Sequence, residues 1–270
     1  MSSVSSRAVP VSTVTPGSDP VDAERLRRLD ALRAELDRVD DALHDLLMRR
    51  AEVVAQVGAL GAKGRVPLRP GREASIIRRL LARNGGALAP ATLVRVWREM
   101  LAGSSAQQSP MTIVAGDAGL EAAVREHFGA LAWVETTEPV AAIERVRRGE
   151  AALAVLPFPS EEARWWVALV GEGQRWPRVH VVARLPFWAR AGAVEALVLS
   201  GAAPDPSGHD RTLIAGAAPG KLEAAGLSVA ARYPGGLLDI DGFVASEDRR
   251  LVGSSAVVLG AYAVPVGESE

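Results

Sequence analysis

Leucines and valines recur every three or four residues over one long stretch: Leu29, Leu32, Leu36, Val39, Leu43, Leu46, then Val53, Val57 and Leu60. This is the period of a helix seam that packs against another helix. The pattern runs from near Asp22 to about Gly61, roughly 60 Å of helix. A small domain offers no internal partner of that length, so a second copy of the chain is the expected one. One slot of the seam is polar: Arg50 stands where an apolar residue belongs. A guanidinium keeps its proton, so in a dry seam it needs an anion beside it.

Gly61, Gly64, Pro67 and Pro70 break the pattern. A second helix is expected over 71–83, with Ile76, Ile77, Leu80 and Leu81 on its buried face, stopped by Asn84-Gly85-Gly86. Pro90 suits the first turn of a third helix, whose expected stripe is Leu93, Val96, Trp97, Met100 and Leu101. Pro110 marks a boundary, beyond which short apolar strands alternate with helices. Strands are expected at 111–115, 132–135, 152–156, 179–185, 194–200, 211–215, 227–233, 237–244 and 257–266. Such alternation predicts an α/β unit with a parallel sheet. The expected divisions are a disordered Ser/Thr/Pro-rich tail (1–21), a helical domain (22–109), an α/β region (111–200) and a trailing segment (201–270).

Composition excludes several classes. A net charge of -1 in 270 residues argues against a general nucleic-acid or membrane-surface binder. There are no cysteines, hence no disulfides, thiolate metal sites or cysteine nucleophile. That fits a reducing cytoplasm, the expected location. No stretch reads as a bilayer span. His44, His127, His180 and His209 are scattered without metal-ligand spacing. Ser207, His209 and Asp210 crowd together, but triads converge in space rather than in sequence, so they read as a polar turn.

Helical spacing sets five polar groups against apolar stripes: Arg33 beside Leu32 and Leu36, Arg50 on the seam, Glu73 with Ile76 and Ile77, and Ser104 and Gln108 continuing the third helix. Taken singly, each fits a buried salt-bridge network, with Arg50 paired to Glu73 or Asp40. Taken together they favour a polar pocket for a small di-anion, because buried arginines pair bidentately with carboxylates.

The order of these residues resembles the all-helical chorismate mutases over about 26–109. The segment from Leu32 to Asp40 is similar to that family's opening. So is the segment from Leu46 to Val54 with its glycine at Gly58. Arg69-Pro70-Gly71-Arg72-Glu73-Ala74 resembles the turn and second helix, and the serine and glutamine four apart match Ser104 and Gln108. The resemblance implies an intertwined homodimer of three-helix chains that rearranges chorismate to prephenate without a cofactor or metal. It implies that Arg33, lent by the partner's long helix, and Arg50 clamp the two carboxylates. Gln108 donates to the ether oxygen, Glu73 accepts from the ring hydroxyl, and Arg72 and Ser104 support the substrate. The family's lysine at the end of the long helix is replaced: gapless alignment places Gly61 there, with Lys63 two residues on.

The second half resembles a prephenate dehydratase with a trailing amino-acid-binding (ACT-type) domain. Gly149 to Pro157 is similar to the strand ending the first lobe, Ser207 to Thr212 to the start of the ACT-type domain, and Leu237 to Val244 to a later strand of it. The dehydratase's Thr-Arg-Phe strand is replaced by one beginning Val194-Glu195-Ala196. Only about 35 residues separate it from Pro157. The fold expected is therefore an all-α mutase domain followed by a degenerate dehydratase-like α/β region and a truncated ACT-like α+β end. Catalysis is expected in the first part alone, with an aromatic amino acid as a candidate effector of the second.

Overall fold

The computed structural model describes residues 20–60, 68–109, 111–129, 133–135, 138–170 and 178–267. Gly61, Lys63, Pro110 and most of the expected tail lie outside the described residues. Helix α1 spans Pro20–Leu60, with the proline at its first position, where the missing N–H costs nothing. The chain divides into two compact units between Val53 and Val54.

The first unit is α1 up to Val53. Its seam residues from Leu29 to Leu46 are between 41% and 67% exposed. The apolar stripe read in the sequence thus exists as a continuous helix face, exposed among the described residues.

The second unit begins with the end of α1 and helices α2 (Pro70–Leu81) and α3 (Pro90–Gln108). Ala74 and Ile77 of α2 meet Val94 and Leu101 of α3, together with Phe187 and Ala263 from the sheet region. The expected stripe on α3 is rotated. The buried residues are Val94, Arg98, Leu101, Ala102 and Ser105, while Val96 is half exposed and Trp97 and Met100 are only partly covered. The reason is tertiary: α3 packs on the α/β region as well as on α2, which turns Arg98 inward.

Elements then follow as β1 (Ile113–Ala115), α4 (Glu121–Phe128), β2 (Trp133–Glu135), α5 (Pro139–Arg147), β3 (Leu153–Pro157) and α6 (Val167–Val170). Next come β4 (His180–Leu185), β5 (Trp188–Ala189), β6 (Ala196–Ser200), β7 (Asp210–Ala215), α7 (Pro219–Ala224), β8 (Val229–Tyr233), β9 (Leu237–Asp241), β10 (Val257–Ala263) and β11 (Val266–Gly267). Among the described residues nine strands form one sheet in the order β2-β1-β3-β6-β4-β10-β7-β9-β8.

The expectation of a parallel sheet holds for only part of it. β1 pairs in parallel with β2 and β3, joined by α4 and α5 as crossovers. From β3 onward the pairs β3–β6, β6–β4, β10–β7, β7–β9 and β9–β8 are antiparallel. β4 and β10 touch in parallel at Val181 and Gly260. There a Cβ on Gly260 would lie 2.0 Å from the Val181 carbonyl oxygen, and its φ of +146° also requires glycine. The last four strands run β10-β7-β9-β8, the order of a split βαβ unit whose second helix is reduced to one 3-10 turn at Arg249–Leu251. Trp165 and Trp166 are core residues beneath this sheet, with Ile143, Leu156, Leu199 and Tyr262.

Candidate functional site

The candidate residues fall into two groups. Arg33 and Arg50 stand on α1 in the first unit. Arg33 is exposed and held by its own helix, its guanidinium 3.1 Å from Asp30 one turn back. Arg50 is half-buried, and burial lowers its pKa, though a guanidinium stays charged at any working pH.

Arg72, Glu73, Ser104 and Gln108 belong to the second unit. Glu73 is buried on the first turn of α2, and Arg98 of α3 donates to its Oε2 at 3.1 Å. Both side chains of this ion pair are buried, and Arg98 is a partner of Glu73 that the sequence reading did not name. Arg98 also lies 3.3 Å from Nε2 of His127 on α4 and 4.6 Å above the Phe187 ring. Burial raises the Glu73 carboxyl to about 6, against the pull of Arg98, and lowers Arg98 to about 10. Both partners resist ionisation, so the pair specifies geometry more than it adds stability. His127 is pushed well below its ordinary range by burial and by Arg98, so it is neutral at pH 7.

Arg72 points into solvent. The Ser104 hydroxyl donates to the Met100 carbonyl at 2.6 Å, and the Gln108 amide donates to the Ser104 carbonyl at 3.2 Å. The two thus form a continuous polar edge on the last turns of α3. Gly58 of α1 faces this edge: a Cβ there would come 3.2 Å from Gln108 Cγ. Gly58 is therefore a close-approach glycine that lets the end of α1 lie against the Gln108 side chain.

The first turn of α2 carries Arg72 and Glu73 and is positioned from the α/β half. Its own N-cap, Arg69, provides no side-chain cap. Asp205 does so: its carboxylate accepts the Gly71 N–H at 3.0 Å and the Arg72 N–H at 3.2 Å. Farther along, the Ser75 hydroxyl donates to the Ser207 carbonyl at 3.0 Å. Arg78 donates to Ser207 Oγ at 2.8 Å, to the His209 carbonyl at 2.9 Å and to the Val264 carbonyl at 2.6 Å. Ser207 to Asp210 is the polar turn expected, with the Asp210 carboxylate accepting the Ser207 and Gly208 amides.

Sequence reasoning missed Arg98, His127 and Asp205. Arg98 carried the same signal as Arg50, a charge in the slot four residues after Val94 and three before Leu101. Asp205 and His127 carried none, since each acts across more than twenty residues of chain.

An open groove of about 700 Å³ lies between α3 and α4, lined by Thr92, Arg95, Glu99, Arg125, Glu126 and Arg190 among others. Arg190 is engaged bidentately by Glu126, at 2.7 and 2.6 Å, and Arg125 by Glu121. None of the candidate residues lines this groove. No cluster of His, Asp or Glu suited to a metal occurs among the described residues, and no helix among them is long and apolar enough to cross a membrane.

The chorismate mutase type II family model matches residues 32–109. The bifunctional chorismate mutase/prephenate dehydratase of Pseudomonas aeruginosa is 33% identical over 137 residues, 47% of this chain and 37% of that protein. The protein of the same description from Stutzerimonas stutzeri is 31% identical over the same shares. That of Aquifex aeolicus is 32% identical over 81 residues, 28% of this chain and 22% of its own length. The chain thus spans little more than a third of the length of the first two of these relatives. A match over 47% of 270 residues exceeds everything before Pro110, so it reaches into the α/β half.

Among solved structures, a quorum-quenching acylase, GqqA, aligns with a TM-score of 0.40 at 18% identity, covering 56% of this chain and 94% of its own. A prephenate dehydratase from Arthrobacter aurescens in complex with L-Phe aligns at 0.39 and 18%, covering 56% and 90%. Both scores lie below the level at which a shared fold carries function. By family match and by the helices that bear its motif residues, residues 32–109 are a chorismate mutase type II domain, followed here by a mixed α/β region.

Proposed function

We propose that the protein is a homodimeric chorismate mutase whose α/β half does not dehydrate prephenate. The observation that carries this reading is the family match at 32–109, within which Arg33, Arg50, Arg72, Glu73, Ser104 and Gln108 all stand on helices. The rearrangement is pericyclic. The site has only to hold the compact diaxial conformer and stabilise negative charge growing on the ether oxygen. Arg50 and the partner's copy of Arg33 bind the two carboxylates. Gln108 donates to the ether oxygen, Glu73 accepts from the ring hydroxyl as a carboxylate, and Arg72 and Ser104 hold the substrate. Lys63, just past the end of α1, supplies the remaining cation in place of the helix-end lysine.

The dimer rests on the bare seam of α1. A shallow depression of about 350 Å³ there, floored by Val39, Ala42, Leu43 and Leu46 and rimmed by Glu35 and Arg38, suits the matching face of a second α1. The inactive second half rests on Val194-Glu195-Ala196, which brings neither threonine nor arginine to the strand that needs them. Glu195 instead pairs with Arg184 at 2.6 Å. A bifunctional enzyme is the second reading, favoured by the reach of the sequence match into this half.

The test follows chorismate consumption by the purified protein, with Arg50→Ala as control and products assayed as prephenate and phenylpyruvate. Prephenate alone, lost in the variant, is the expected outcome. Phenylpyruvate from wild type replaces this reading by the bifunctional one. No turnover by a folded dimer leaves a binding protein that keeps the mutase fold. A thermal shift with phenylalanine or tyrosine tests the effector, and its absence at millimolar ligand removes that role.

A further inference from the structure

Among its several contacts with α2 and α3, the α/β half meets the first turn of α2, which carries Arg72 and Glu73. An α-helix begins with unsatisfied N–H groups, and a carboxylate there is favoured both by hydrogen bonding and by the helix dipole. α2 has no local cap, and the carboxylate that serves it comes from Asp205, 134 residues beyond Gly71. The approach is too close to be incidental. A Cβ on Gly71 would lie 2.1 Å from the Asp205 carbonyl oxygen, so backbone meets backbone there with no side chain between. The Ser75 and Arg78 bonds to Ser207, His209 and Val264 fix the rest of α2 against the same loop and its neighbouring strand end. The turn that Asp205 caps, through the Gly71 and Arg72 amides, carries two of the side chains assigned to substrate, Arg72 and Glu73.

We propose that Asp205 is a positioning residue of the mutase site: by capping α2 from the α/β half, it sets the placement of Arg72 and Glu73 against chorismate. The inference rests on the mutase reading above and gives the second half a role that needs no chemistry of its own. Asp205 also faces Glu73 electrostatically. Arg98 from α3 holds the Glu73 carboxyl down, the Asp205 charge pushes it up, and the neutral His127 from α4 sits behind Arg98.

The experiment uses the full chain and compares Asp205→Ala and Asp205→Asn with wild type. The readouts are kcat and KM for chorismate from pH 5 to 8, and melting temperature. Alanine removes both acceptors. A loss of about tenfold or more in kcat/KM, through kcat as well as KM, is expected alongside a drop of only a few degrees in Tm. Asparagine keeps one acceptor and the shape, so it is expected to recover most of that loss. Because it removes the charge facing Glu73, it is also expected to move the acidic limb of kcat/KM to lower pH. A purely structural role leaves that limb where it is.

Unchanged kcat and KM in the alanine variant overturn the proposal. So does a loss that asparagine neither recovers nor accompanies with a shifted limb. Should the alanine variant fail to fold, the acidic limb of the asparagine variant decides alone. Absence of turnover in wild type is a different result: it defeats the mutase reading itself and this inference with it.

Discussion

The two ends of the chain solve the problem of burial in opposite ways. From Leu29 to Leu46 every seam residue of α1 is more than 40% exposed. In the sheet, Leu153, Leu197, Leu199 and Leu213 are wholly buried. An apolar stripe gains nothing until it is covered. The sheet covers itself through crossovers, antiparallel returns and the hairpin of β8 and β9. Among the described residues the long helix has no such cover within its own unit, and in the proposed dimer a second α1 supplies it. The contrast separates folding from assembly: the α/β half buries its own apolar surface, whereas in the proposed dimer the cover of α1 would depend on concentration.

The sharpest way to break this contrast is to charge the seam. Leu36→Asp with Leu43→Asp is expected to halve the mass seen by light scattering and to lower chorismate turnover by about 100-fold or more. The site then loses the partner's Arg33. The sheet signal in circular dichroism should persist. A charged variant that remains dimeric removes α1 as the interface.

Next in size is the junction. Arg98→Met strands the buried Glu73 carboxylate and is expected to cost about 3 kcal/mol in urea unfolding, with a fall in turnover. Turnover unaffected by this change separates Glu73 from the substrate.

Comparable in stability but opposite in functional effect is Leu197→Ala at the centre of the sheet. A cost of about 3 kcal/mol is expected with the dimer mass unchanged. If the dimer weakens in step, the two halves are not energetically separate.

The smallest effect is on pH. His127 has a folded pKa well below 6.5, so only the unfolded chain gains a proton as pH falls past that value. Its contribution is complete above 6.5 and declines on acidification, by at most about 1.4 kcal/mol per pH unit. Glu73 acts the other way. With a folded pKa of about 6, above its ordinary 4.5, it holds an extra proton in the folded state between those values, and stability falls as pH rises through them. His127→Gln removes the first slope and keeps the second. The variant is therefore expected to lose less melting temperature than wild type between pH 7.5 and 5. An identical loss places His127 outside the buried network.

Much of the fold was legible because it is locally encoded. The 3.6-residue period of α1, the proline at the start of α3, and the short apolar runs of β3, β4 and β6 each declare themselves within a few residues. What was not legible depended on distant partners. Sequence reading placed Leu101 inward, as it is, but set it with Val96, Trp97 and Met100 where the structure buries Val94 and Arg98, because Trp97 and Met100 are as apolar as Val94. Only packing on the α/β region decides between them, and it places Arg98 inward. The sheet's change from parallel to antiparallel after β3 depends on pairing order, which no single strand records. Within the candidate site, the residues on helical stripes could be found by period alone. The cap on α2 could not, because Asp205 sits in a loop over 130 residues away.

The bare glycine at position 71 has a consequence for how this molecule could be divided or recombined. The boundary read in the sequence at Pro110 invites a cut, and residues 1–109 look like a module ready for transplant. The contact of Gly71 with the Asp205 carbonyl argues otherwise. An excised helical piece would lose the cap on α2, expose Ile77 and Val94, and leave Arg98 without its cover of His127 and Phe187. A chimaera would succeed only if it inherited the loop around residue 205 together with a glycine opposite it. The true seam of inheritance runs through the three-dimensional pair 71 and 205, not through the stretch of chain where the texture of the sequence changes.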